Sequence, residues 1–143
     1  MNEKFKVGIS RCRLFEFDNC VSFVGVYSEE LSPEEMSKAI KMLAVKEPLI
    51  TSVIELTDSS EAFVVTNRVE PTVKFLEAET EVFVSEYKSK GVNFTERLFD
   101  FYVLNNTTLV IFSHTITSDN KSLLILAEEL IAFYKKDTVS DSL

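Results

Sequence analysis

The sequence predicts an α/β fold, a two-layer sandwich in which helices pack on one face of a mixed β-sheet. Segments rich in β-branched and aromatic residues alternate with segments whose apolar residues recur at helical spacing. The length of 143 residues suits one domain, and 45% hydrophobic residues with only 3 Gly and 3 Pro are typical of a packed chain. We therefore expect a single domain over residues 1–136. A flexible tail or a truncation point is expected over residues 137–143.

The first half of the chain contains a strand followed by a helix with a clear start signal. Val21–Tyr27 suits a strand because it is rich in β-branched and aromatic residues. Ser32, Pro33 and Glu35 match a capping box, with Ser32 as N-cap and proline at the first helical position. Apolar residues then recur at helical spacing until Pro48 prevents the helix from continuing. They are Met36, Ala39, Ile40, Leu43 and Ala44.

Two strands and a second helix are expected next. Residues 49–56 and 62–66 resemble the strands of a hairpin joined by the polar turn at residues 57–60. The segment Thr80–Lys90 has helical character, and Gly91 stands where a glycine C-cap would close it.

The last third of the chain contains the strongest hairpin and a final helix. Residues 97–104 and 107–113 flank a turn at Asn105 and Asn106, and residues 109–112 are continuously apolar, as in a strand buried on both faces. The final helix is predicted from apolar residues at helical spacing. They are Leu123, Leu124, Ala127, Leu130, Ile131 and Tyr134.

Composition narrows the classes of partner. The net charge of −8 repels phosphate backbones and anionic lipids, so nucleic acid is a poor partner. No apolar run approaches the roughly 20 residues of a membrane span, and the N-terminus lacks a secretory signal, so we expect a cytoplasmic protein. Cys12 and Cys20 match no zinc or redox spacing and are expected to be reduced packing residues, with a disulfide less favoured. With His114 as the only histidine, no metal site built on several histidines is expected within one chain.

One segment has the pattern of an acyl-transfer motif, at the passage from the last strand into the last helix. Residues 114–130 read HTITSDNKSLLILAEEL. This segment resembles the HHxxxDG motif of the chloramphenicol-acetyltransferase-like superfamily, which includes the condensation domains of nonribosomal peptide synthetases. Without gaps, His114 falls on the first His and Thr115 on the second, while Asp119 falls on the Asp and Asn120 on the Gly. Ser122 matches the small polar residue that follows.

The resemblance implies a fold and a reaction. The fold would be the N-terminal lobe of a coenzyme A-dependent acyltransferase, with the second lobe and its motif missing from this sequence. The family transfers an acyl group from a coenzyme A or carrier-protein phosphopantetheine thioester to a hydroxyl or amine, and the second His is its general base. A threonine hydroxyl cannot accept that proton at neutral pH, so Thr115 removes the base and the motif is degenerate.

The other motif residues offer a weak replacement for the base. In an extended segment neighbouring side chains point to opposite faces, so His114 and Thr115 cannot both face one channel. Packing at the strand end is the favoured role of His114, and direct catalysis is the alternative. Asp119 is more readily explained as a helix N-cap than as a catalytic acid.

Three functional hypotheses follow. The favoured one is a noncatalytic or half-site lobe that binds a carrier protein, an acyl-pantetheine ligand or a partner subunit. The second is the N-terminal lobe of an active thioester-dependent acyltransferase that uses His114 and Asp119, with a second lobe supplied separately. The third is a homodimer that imitates the two-lobed enzyme. No bound cofactor is expected; a coenzyme A or phosphopantetheine thioester would be the cosubstrate.

Overall fold

Strands and helices alternate along the chain, as the sequence predicted. The computed structural model describes residues 4–6, 21–56, 62–91, 95–114 and 120–141. In chain order the elements are β1 (Lys4–Lys6), β2 (Val21–Tyr27), α1 (Pro33–Lys46), a 3₁₀ helix (Pro48–Thr51), β3 (Val53–Leu56), β4 (Ala62–Val65), β5 (Lys74–Leu76), α2 (Thr80–Lys90), β6 (Phe99–Leu104), β7 (Thr108–His114) and α3 (Asn120–Asp141).

The main sheet has four strands in the order β2-β7-β6-β5. β7 pairs antiparallel with β2 and β6, whereas β5 pairs parallel with β6, so the predicted mixed sheet is confirmed. Residues 109–112 of β7 are completely buried, as their continuous apolar run predicted. Asn105 and Asn106 both adopt positive φ, at 55° and 63°, which is the conformation of a tight hairpin turn and confirms the turn predicted there.

The helices lie on both faces of this sheet, so the prediction of helices on one face is wrong. Residues of α1 and α3 form one core with Phe101 and Ile111, while α2 packs Tyr87 against Val110 and Phe112 on the other face. The reason is the apolar run in β7. Because successive side chains of a strand point to opposite faces, that run presents apolar surface on both sides, and each side needs a cover.

A second sheet has the order β1-β4-β3. β3 and β4 pair antiparallel, as predicted, although their connecting turn lies outside the described residues. The predicted strand over residues 49–56 begins late, at Val53, because Pro48–Thr51 forms a 3₁₀ helix. The Ser52 hydroxyl stabilises this turn by donating to the Pro48 carbonyl at 2.8 Å. β5 was not predicted, since three residues are too few to show an alternating pattern.

The ends of α1 and α2 lie where the local sequence signals predicted them. α1 begins at Pro33, as predicted, but the Ser32 side chain makes no capping bond. Instead the Ser32 backbone N–H donates to the Tyr134 hydroxyl at 3.0 Å, which joins the start of α1 to α3. Gly91 closes α2 with φ at 81° and donates its N–H to the Tyr87 carbonyl at 2.9 Å, which confirms the predicted C-cap.

The end of α3 lies beyond the predicted boundary between lobe and tail. The helix continues to Asp141, so the division at residue 136 between lobe and tail stays a prediction. Within the described ranges, none of the helices combines the length and apolar character needed to cross a lipid bilayer.

Candidate functional site

The motif segment lies where β7 leaves the main sheet. β7 ends at His114, whose Cα is paired with that of Val21 in β2, and α3 begins at Asn120. As predicted, a strand precedes the motif segment and a helix follows it. Thr115 and Asp119 lie outside the described residues, so their roles and that of the His114 side chain stay predictions.

Asn120 ties the start of α3 to the edge of the sheet. Its Oδ1 accepts a hydrogen bond from the Phe23 backbone N–H at 2.9 Å. Antiparallel pairing directs alternate residues of a strand toward the neighbouring strand, and the Ser28 N–H donates to the Thr107 carbonyl at 2.8 Å. The odd-numbered residues of β2, including Phe23, therefore direct their backbone groups away from β7. The motif alignment puts Asn120 at the position of the glycine, and its contact with Phe23 was not predicted.

An open groove of about 320 Å³ lies at the same end of the sheet, on the side of α1 and α3. Phe99, which lines it, is paired with Ser113, one residue before His114. Ser122, in the first turn of α3, contributes a hydroxyl to the lining. The remaining apolar lining comes from Leu49, Ile50, Ile125 and Leu126. A groove of this size falls at the lower end of small-molecule sites.

Two carboxylates flank this apolar groove. Glu47 and Glu129 both line it, and Glu129 Oε2 lies 2.7 Å from Lys46 Nζ. The hydrogen bond that Lys46 donates to Glu129, and then the charge of that carboxylate, raise the pKa of Lys46. The ion pair is at the surface, and we assign it no large share of stability. Lys46 therefore balances the charge of Glu129, whereas Glu47 leaves a negative charge at the rim of the groove.

A buried polar network stabilises β6 and β7 close to this junction. Asp100 is only 5% exposed, although it places a carboxylate at the second residue of β6. Its Oδ2 accepts a hydrogen bond from the Tyr87 hydroxyl, and its Oδ1 accepts one from Arg97 Nε. Both carboxylate oxygens are thereby satisfied, which is the condition for burying a charge.

The aromatic rings around Asp100 extend the network to β7. Asp100 is the register partner of Phe112, and the Tyr87 ring stacks on Phe112 with 3.8 Å between ring centroids. The hydrogen bond to Asp100 raises the pKa of the Arg97 guanidinium, which remains charged at any physiological pH. The network therefore fixes the position of β7 two residues before the strand ends at His114.

The network around Asp100 was not predicted from the sequence. The available signal was Asp100 itself, a charged residue between Phe99 and Phe101 in a strand otherwise apolar or aromatic. A charge at such a position requires a partner. The partners come from α2 and from the turn before β6, which sequence spacing alone does not bring together.

Alkaline pH is expected to weaken the fold through this network. Burial first, and then the charge of Asp100, raises the pKa of Tyr87. The unfolded chain then loses the phenolic proton before the folded one, so stability is complete below about pH 10 and falls as pH rises further. The slope for Tyr87 is up to about 1.4 kcal/mol per pH unit.

Urea unfolding of the wild type and Tyr87→Phe at about pH 8, 10 and 11 checks this expectation. The variant should lose less stability between the two higher pH values. An equal loss in both proteins would show that Tyr87 titrates normally in the folded chain.

The described residues contain no group of three or more His, Cys, Asp or Glu side chains placed to hold a metal ion.

Condensation domains have the fold seen here. No protein-family model matches the sequence, and no curated protein matches it. Among solved structures, condensation domains superimpose over about nine tenths of the chain, and the chain spans about a third of their length. The predicted resemblance to one lobe of the chloramphenicol-acetyltransferase-like fold is thus confirmed as a similarity of structure.

Three solved structures illustrate the similarity. The first condensation domain of the calcium-dependent antibiotic synthetase, in complex with a substrate analogue, has a TM-score of 0.74 at 8% identity, over 90% of this chain and 36% of that one. Polyketide synthase associated protein 5 from Mycobacterium tuberculosis has a TM-score of 0.73 at 13% identity, over 95% and 34%. The starter condensation domain of the rhizomide synthetase has a TM-score of 0.72 at 11% identity, over 92% and 37%. Identities this low establish the fold and leave the activity open.

Proposed function

We propose that this chain is a noncatalytic condensation-like lobe that binds an acyl-pantetheine group, free or attached to a carrier protein, and works with a partner subunit. The observation that carries the proposal is the threonine at residue 115, where the gapless motif alignment expects the histidine that acts as general base. Loss of a general base typically costs about 10²–10⁴ in rate. A lobe without its base retains surfaces for binding.

The groove beside α3 supports binding of the acyl part. Five of its eight lining residues are apolar, and Ser122 lines it two residues into the helix that follows the motif. An extended alkyl chain could cover Leu49 and Ile125, which are 40% and 51% exposed. Apolar contact stabilises such binding by roughly 25 cal/mol per Å² of surface removed from water.

Charge favours the pantetheine part over a nucleotide. Glu47 lies at the groove rim, and the chain carries a net charge of −8. These negative charges repel the three phosphate groups of coenzyme A more than the single phosphate of a carrier-bound arm, and free pantetheine carries no charge to repel. Octanoyl-pantetheine is therefore the appropriate probe. Because the same net charge repels nucleic acid, we propose no nucleic-acid partner. We propose a cytoplasmic location from the composition of the sequence.

Replacing Ile125 with aspartate is expected to weaken octanoyl-pantetheine binding about tenfold or more, which corresponds to about 1.4 kcal/mol. The substitution removes apolar contact in the groove and adds a charge near Glu129. Isothermal titration calorimetry measures the change. Val82→Asp is the matched control, because Val82 is also half exposed, at 50%, but lies on α2 on the opposite face of the sheet.

Two outcomes contradict the proposal. Equal weakening by the control variant, or no binding by the wild type, would remove the groove as the site. The alternative of an active N-terminal lobe is tested by thioester turnover with octanoyl-pantetheine and a hydroxylamine acceptor. Turnover by the wild type that is lost in His114→Ala would establish the enzyme and overturn the noncatalytic assignment.

A further inference from the structure

The outer edge of β2 is the feature that carries a further inference. β2 is the first strand in the sheet order, and in the described part of the chain it pairs with β7 alone. Its odd-numbered residues direct their backbone groups away from β7, as the Phe23 contact with Asn120 shows. Phe23 is capped by that amide. Gly25 and Tyr27 have no such cap among the described residues.

β2 lacks the features that normally prevent pairing at a sheet edge. Its seven residues read VSFVGVY, without a charge or a proline. Native edge strands usually carry a lysine, a proline or a bulge because an unprotected edge offers a template to another strand. An uncharged edge of this length therefore indicates a surface that pairs with an extended backbone.

Gly25 and Tyr27 are complementary to each other across such a pair. They lie two residues apart on the same strand, so both face the α2 side of the sheet. A side chain added at Gly25 would meet nothing within 4 Å, and Tyr27 is 83% exposed. An aromatic ring opposite an edge glycine covers backbone that the glycine leaves open.

We propose that a second copy of this chain pairs antiparallel along β2, with Gly25 of each copy opposite Tyr27 of the other and the two Val26 residues opposite each other on the two-fold axis. Each Gly25–Tyr27 pair exchanges two backbone hydrogen bonds, and each tyrosine ring covers the glycine of the other copy. Phe23 lies outside this register, so its bond to Asn120 is retained. This second copy is the partner subunit of the proposed function, and to that extent the inference rests on the proposed function.

Electrostatics makes this pairing dependent on salt. Each copy carries a net charge of −8, and Glu29 and Glu30 follow the strand after a single serine. Like charges oppose association at low ionic strength, and salt screens them over about 10 Å at 0.1 M. The dimer is therefore expected to become tighter as salt increases, in contrast to an interface held by opposite charges.

Sedimentation velocity of the full chain tests the proposal at about 0.05 M and 0.5 M salt. We expect a wild-type dimer that strengthens with salt, and a dissociation constant at least tenfold higher for Tyr27→Lys. Val45→Lys is the matched control, because Val45 is 85% exposed but lies on α1, and it should leave the dimer unchanged. A wild type that is monomeric at both salt concentrations, or equal loss in both variants, overturns the proposal.

A cysteine cross-link tests the register. In a variant in which Cys12 and Cys20 are serine, Val26→Cys should form a disulfide between copies, because directly opposite residues at a non-hydrogen-bonded position have Cα atoms about 4.5 Å apart. Val24→Cys should not form one. The reverse result overturns the register. Octanoyl-pantetheine titrated into monomeric Tyr27→Lys separates the two proposals, since retained binding leaves the proposed function intact whatever the oligomeric state.

Discussion

Replacing Phe112 with alanine is expected to lower the free energy of unfolding by about 3–5 kcal/mol, the range for truncation of a fully buried aromatic side chain. Phe112 is completely buried on the central strand of the main sheet. Its ring stacks on Tyr87 and approaches Tyr102 edge-on, with ring centroids 6.0 Å apart in the second pair. Truncation leaves a cavity against α2, and the hydrogen-bonded sheet cannot close around it.

Chemical denaturation followed by circular dichroism measures this loss. Phe112→Leu is the control for volume, and its expected cost of roughly 1–1.5 kcal/mol is much smaller because most of the buried surface is retained. A loss below about 1.5 kcal/mol for Phe112→Ala would show that the core on the α2 face is not closely packed.

Replacing Asp100 with alanine is expected to cost about 3 kcal/mol or more, because removing one partner of a buried ion pair leaves the other uncompensated. Two groups lose Asp100 as a partner in this variant: the buried Tyr87 hydroxyl, and the Arg97 guanidinium, which keeps only the exposed Glu96. Arg97 is 32% exposed, so solvent relieves part of its penalty, and the expected value stays at the lower end of the range. The unpaired hydroxyl adds about 1–3 kcal/mol before any relaxation.

Glu96→Ala is the matched control for Asp100→Ala. Glu96 also pairs with Arg97, at 3.4 Å, but its side chain is 65% exposed, so its loss should cost less than about 1 kcal/mol. Tyr87→Phe removes the hydroxyl alone and should fall between the two. Equal small losses for Asp100→Ala and Glu96→Ala would mean that the Asp100 network contributes no net stability.

The sequence by itself determined the local elements, because their signals act over a few residues. Pro33 specified the start of α1, Gly91 specified the end of α2, and two asparagines specified the turn between β6 and β7. The apolar run at residues 109–112 identified the central strand.

Only the tertiary structure decided how these elements cover one another. Three features depend on residues distant in the chain. α2 lies on the opposite face from α1 and α3, β5 joins the sheet in parallel, and the Ser32 backbone N–H donates to Tyr134. The groove beside α3 and the partners of Asp100 have the same origin. Periodicity specifies which side of an element is apolar, whereas the surface that covers that side is selected by the closure of the whole core, which short-range patterns do not encode.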